Sequence, residues 1–225
     1  MLVAAVFVAL TASSVQAADG SAAPRIDCGT VADSSGVGPY DYRDRSQARL
    51  LSTVEQHHFF DATEVLAMRG TSDLEYSAAK GKSASIGGDL DYTLRAFPNH
   101  HRALLAMSKY QGHRGWKAGS IYMPIECYFE RAMAFVPGDN AVRLIASIDR
   151  YNAGQVERAI ALLEPVATED LHDPELHYNL GLFYMKAKRY NEAVHHAQLA
   201  EALGYPLRGL RRKLEAAGHW PTPPS

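Results

Sequence analysis

Apolar residues return at helical spacing through most of the chain, in runs separated by Gly, Pro and polar clusters. Leu50, Leu51, Val54 and His58 fall near one face of a helix expected over Ser46 to His58. Asp61 and Glu64 have the spacing of a helix-opening cap, and Gly70 closes the short helix they begin. Residues 71–88 mix Gly, Ser and Lys with little apolar periodicity and read as a mobile loop. From Asp89 the pattern resumes, with Leu90, Leu94 and Phe97 on one face and Pro98 as the stop. Asn99 is placed to cap the next helix, which carries Ala103, Leu104, Ala106, Met107 and Tyr110. After an interruption from Gln111 to Pro124, Cys127, Tyr128, Ala132 and Phe135 continue in a helix ended by Pro137-Gly138.

Beyond Pro137 two stretches repeat each other. Ala159 and Ala193 lie 34 residues apart, each inside a second helix that follows a turn. The later copy carries Asn179-Leu180-Gly181, Tyr184, Tyr190, Ala193 and Ala200; the earlier one keeps Gly154, Ala159, Leu163 and Val166. Small residues fall where two antiparallel helices approach closely, and large ones fill the gaps. This pattern resembles the tetratricopeptide (TPR) repeat. The resemblance is specific over 138–206, although Arg150 stands where an aromatic is usual and Pro206 comes one residue late. One period back from Leu163, Val166 and Leu171 are Phe129, Ala132 and Pro137, so a further unit is expected over about 99–137, with an insertion at its turn. Leu94 to Pro98 resembles the end of yet another second helix, from a degenerate fourth unit. Pro39-Tyr40-Asp41-Tyr42-Arg43 and the phrase from Tyr92 to His101 are similar to those of exported bacterial TPR proteins.

The resemblance implies an all-α solenoid of about three helical hairpins over 89–220, with units near 99–137, 138–173 and 174–206. A small irregular and helical head, 18–88, precedes it; a capping helix, 207–218, and a disordered tail, 221–225, follow. TPR proteins line a concave groove with their first helices. Carried over, the lining is His100, Ala103, Met107 and Tyr110, then Leu144, Ile148, Tyr151 and Asn152, then Glu175, Tyr178, Leu182, Met185 and Lys186. This apolar and aromatic surface suits an extended or helical peptide. It lacks the Lys, Arg and Asn set with which some TPR domains clamp a terminal carboxylate. Two states remain open: a free groove, or one filled by the capping helix or the head.

The amino terminus changes the compartment. Leu2 to Leu10 is apolar and too short to span a bilayer, and Val15-Gln16-Ala17 fits the small-x-small cleavage pattern, although no Lys or Arg precedes the run. A signal peptide over 1–17, cleaved after Ala17, is expected, giving a periplasmic or secreted protein without stable membrane insertion. Export permits a disulfide between Cys28 and Cys127; the alternative is two unlinked thiols. A formal net charge of −2 gives no basic footprint for nucleic acid.

Histidine is the one candidate for chemistry. His57, His58, His100 and His101 form two pairs able to ligate zinc or copper if the head packs on the first repeat, but neighbours on a helix point about 100° apart. Helix-end or packing roles are the alternative. Trp116, between Arg114 and Lys117, either docks a partner or tucks over the Cys127 helix. No phosphate loop, nucleophile elbow or triad spacing is present, and no cofactor is expected. The sequence therefore reads as a non-enzymatic scaffold or assembly factor of the bacterial cell envelope that binds a protein or peptide segment. Self-association through the groove is a further expectation, and a histidine metal-binding protein is the rival.

Overall fold

The computed structural model describes residues 27–31, 37–60, 62–80, 85–115 and 117–221, and no strand occurs among them. The signal peptide with its cleavage after Ala17, Asp61, Trp116 and residues 222–225 lie outside them. Four helices make the head: α1 (Ala48–His58), α2 (Ala62–Arg69), α3 (Asp73–Lys80) and α4 (Ile86–Ala96), the last of which runs across the boundary expected between 88 and 89. Three hairpins follow: α5 (His101–Arg114) with α6 (Ile125–Phe135), α7 (Asn140–Asn152) with α8 (Val156–Glu169), and α9 (Pro174–Lys186) with α10 (Tyr190–Ala202). Helix α11 (Gly209–Ala216) closes the array.

Local signals set the ends. Asp173 accepts the backbone N–H groups of Glu175 at 2.8 Å and Leu176 at 3.3 Å, and Pro174 occupies the first turn, where its missing N–H costs nothing. Glycines Gly70, Gly154, Gly204 and Gly218 adopt positive φ just past helix ends. There the following N–H reaches back to a carbonyl of the last turn, as from Gln155 to Arg150 at 2.9 Å. Lys188 makes the same turn after α9, with φ 62°, and is the one non-glycine residue with positive φ among the described residues. One repeat period separates it from Gly154.

The stretch 71–88 departs from the loop expected of it, since α3 lies within it. Ser72 and Glu75 cap each other: the Glu75 N–H donates to Ser72 Oγ at 3.2 Å, and the Ser72 N–H to Glu75 Oε2 at 2.8 Å. Tyr76, 1% exposed, anchors this helix in the core. Ser85 then caps α4, accepting from the Gly88 N–H at 3.0 Å. At the next junction the cap is His100, whose Nδ1 accepts from the Ala103 N–H at 3.1 Å; Asn99, expected in that place, turns inward instead.

Among the described residues two large apolar cores run along the stack, and a smaller one around Val54, Ala96 and Phe97 joins α1 to the end of α4. The first joins Phe59, Tyr76, Ile86 and Leu90 of the head to Leu104, Met107, Tyr110 and Phe129. The second joins Leu144, Leu163, Leu180, Phe183 and Tyr184 to Leu210 and Leu214 of α11. Leu163, Leu180 and Leu214 are wholly buried, and each contributes about 1.5–3 kcal/mol. Gly181 lets α9 come close to its neighbours: a Cβ there would lie 2.4 Å from Leu210 Cδ2 and 3.3 Å from the Ala193 carbonyl oxygen. α11 thus covers the last apolar face, the place a terminal cap must take.

The head is pinned to the array by polar hubs and one covalent tie. Asn99 is fully buried; its Oδ1 accepts from the Tyr42 N–H at 2.9 Å, and its Nδ2 donates to Asp41 at 2.7 Å and Asp139 at 2.8 Å. Asp73 accepts from the Tyr110 hydroxyl at 2.6 Å and from Arg114 at 2.9 Å. Cys28 and Cys127 are joined with S–S 2.00 Å, across 99 residues of sequence.

Candidate functional site

The expected groove lining is buried at its first unit and partly open beyond it. His100, Ala103, Met107 and Tyr110 are all 0% exposed. Head residues Phe59, Tyr76, Ile86 and Leu90 share their core, and α2 and α4 lie against α5. For this part of the expected groove the alternative of self-filling holds, with the head as the filler.

The second and third units differ. Leu144 and Ile148 pack into the second core, and Tyr178 turns toward α11, its ring 4.5 Å from that of Tyr205. Tyr151, Leu182, Met185 and Lys186 instead line an open cleft of about 450 Å³, shared with Lys188, Tyr190 and Lys213. Tyr151 is held by stacking on Phe183, centroids 4.8 Å apart, and Tyr190 by stacking on His219 at 3.6 Å. Its floor is therefore preset and its rim cationic. Glu175 is exposed at the start of α9, away from the cleft lining.

Asn152 lines a separate cleft of about 390 Å³ with Ser108, Lys109, His113 and Asp149. Here the Ser108 hydroxyl donates to Asp149 Oδ1 at 2.5 Å. Burial raises the Asp149 carboxyl above the usual carboxylate range, against the Ser108 hydrogen bond and the Arg150 charge, which lower it. Neither Ser108 nor Asp149 follows from the groove pattern. The signal for them is that both precede the inward residues Tyr110 and Tyr151 by two positions on equivalent helices.

The histidines do not form one centre. His58 Nδ1 meets Asp89 at 2.9 Å, with its ring stacked on Tyr92 at 4.0 Å. His100 must carry its proton on Nε2, since Nδ1 accepts at the helix cap, and so donates to Glu55 Oε1 at 3.0 Å. Burial pushes its pKa down. His101 pairs with Asp139 at 2.9 Å, and the His57 side chain is exposed. Three imidazoles of the expected metal set are thus spent on three different carboxylates, and the fourth, His57, faces solvent. Among the described residues no group of three His, Cys, Asp or Glu side chains is placed to hold a metal ion, so the rival reading finds no support there. No helix among them is long and apolar enough to cross a membrane.

Comparison with known families gives one match: residues 151–202 fit the model of the tetratricopeptide repeat. The match spans the end of α7, the whole of α8 and α9, and α10. It therefore contains the apolar floor of the open cleft. No curated protein matches the chain.

Proposed function

We propose, from the premise that this chain is a tetratricopeptide-type helical-repeat protein, that it is a non-enzymatic scaffold docking a polypeptide segment in the cell envelope. Repeats of this kind serve protein–protein interaction. The observation that carries the reading is the open cleft of about 450 Å³ floored by Tyr151, Leu182 and Met185. The stacked Tyr151 ring offers a fixed surface, and the flexible Met185 thioether adapts to the shape of an apolar side chain. Placement in the envelope rests on the leader-like first 17 residues and on the Cys28–Cys127 bridge, which an oxidising compartment maintains.

A photoreactive benzoylphenylalanine at position 151, in the exported full chain, tests this. The expected result is an adduct with a second polypeptide that is lost when Leu182→Asp is added. Crosslinks no stronger at position 151 than at exposed Leu171 would overturn the reading.

A further inference from the structure

The rim of the open cleft has an unusual charge. The chain as a whole has 23 Lys and Arg against 25 Asp and Glu, yet residues 186–213 hold seven Lys and Arg and only two Glu. Both acids are already engaged. Glu192 pairs with Arg189 at 2.9 Å, and Glu201 with Arg211 at 3.3 Å. Lys186, Lys188 and Lys213 are exposed, line the cleft, and have no ion-pair partner among the described residues. They come from two elements, the end of α9 with its turn and the capping helix.

Backbone geometry adds an independent observation. Lys188 occupies the left-handed position that glycine fills after α2, α7, α10 and α11. A side chain there costs about 1 kcal/mol that glycine avoids. The fold does not require this lysine; a glycine would make the same turn with less strain. Backbone strain at a cleft residue marks a position held for its side chain.

We propose that this cleft receives an acidic polypeptide segment bearing an apolar side chain. Lys186, Lys188 and Lys213 meet its carboxylates, and Tyr151, Leu182 and Met185 take the apolar group. The inference rests on the docking reading above and names the chemistry of the docked segment. Three uncompensated cations around an apolar floor attract carboxylates at long range and are screened by salt. The floor selects against a purely anionic ligand.

The test is fluorescence anisotropy of the full chain with a labelled peptide, Asp-Glu-Leu-Asp-Phe-Glu-Asp-Leu-Glu. Its counterpart with Asn and Gln for every acid, and vesicles containing phosphatidylglycerol, are the other arms. The acidic peptide should bind, weaken with added salt, and lose about fivefold in affinity with each of Lys186→Gln and Lys213→Gln, while Lys117→Gln in the α5–α6 loop changes nothing. Lys188→Gly separates binding from folding. The relief of strain, partly offset by the freer unfolded chain that glycine gives, should raise the folding equilibrium constant about twofold while weakening the peptide by about fivefold. Equal binding of acidic and neutral peptides overturns the proposal. So does binding that is indifferent to the lysines, or lysine-dependent binding to vesicles with none to the peptide. If crosslinks at position 151 persist in any of these cases, the docking reading stands and its acidic specificity falls.

Discussion

Acid should loosen the last hairpin through a pair of histidines. His177 is 1% exposed, and its Nδ1 lies 3.0 Å from His196 Nδ1. His177 Nε2 donates to the Leu171 carbonyl at 3.2 Å, so its Nδ1 is an acceptor and His196 supplies the shared proton. The ring of His196 also stacks between those of His177 and Tyr184. Burial, then charge on His177 and His195, pushes the His196 pKa down to about 4, against Glu164 and Glu192, which raise it. An unfolded histidine titrates near ~6.5. Between those values the unfolded chain takes up a proton that the folded one refuses, so stability present above pH ~6.5 is lost as pH falls toward ~4. The full shift corresponds to about 3 kcal/mol; partial exposure of the ring and solvent screening reduce it to about 1–2 kcal/mol. His196→Gln keeps a donor toward His177 and removes the titration. Urea unfolding of both proteins at pH 7.5 and 5.0 measures the difference. The wild type should lose about 1 kcal/mol more than His196→Gln over this interval. Parallel losses in the two proteins would refute the reasoning, as would an NMR titration placing His196 near pH 6.5.

Other substitutions probe the joints of the fold. Asn99→Ala leaves the Tyr42 N–H and two carboxylates short of a partner and should cost about 2–4 kcal/mol in thermal or urea unfolding. Gly38 has φ 108°, and a Cβ there would lie 2.5 Å from the Ala96 carbonyl oxygen, so Gly38→Ala should destabilise by about 2 kcal/mol or more. Cys28→Ser opens a tie spanning 99 residues and should lower stability by about 4–5 kcal/mol on the chain-entropy estimate, read as a drop in Tm. Gly181→Val should cost about 2–3 kcal/mol by forcing Leu210 away, whereas Gly181→Ala gains helix propensity and stays near neutral because the Leu210 tip can move.

The hairpins are legible in the sequence because their packing is local and periodic. Ala159 and Ala193 are both 0% exposed, as the alternation of small and large residues requires. The head is harder to read. Its helices are short, and α3 is announced only by the Ser72–Glu75 cap and one anchoring tyrosine inside a polar stretch. Where the groove ends is not legible at all. Met107 and Tyr110 look like groove residues from their place on α5, and the head covers them. What seats the head there are pairs far apart in sequence: Asp73 with Tyr110, and Asn99 with Asp41 and Tyr42. Local periodicity carries no trace of such pairs. The histidines mislead for the same reason. Their adjacency suggests a shared ligand, whereas Asp89, Glu55 and Asp139 each draw one ring to a separate place.

Methionine oxidation tests the central claim most directly, because the buried and the open parts of the expected groove lining carry one reporter each. Met107 is 0% exposed beneath the head, and Met185 lines the open cleft. Under dilute peroxide, peptide mapping of the native chain should find Met185 sulfoxide forming readily and Met107 reacting only on unfolding. Equal rates at the two positions, or a protected Met185, would contradict a face that is filled at one end and open at the other.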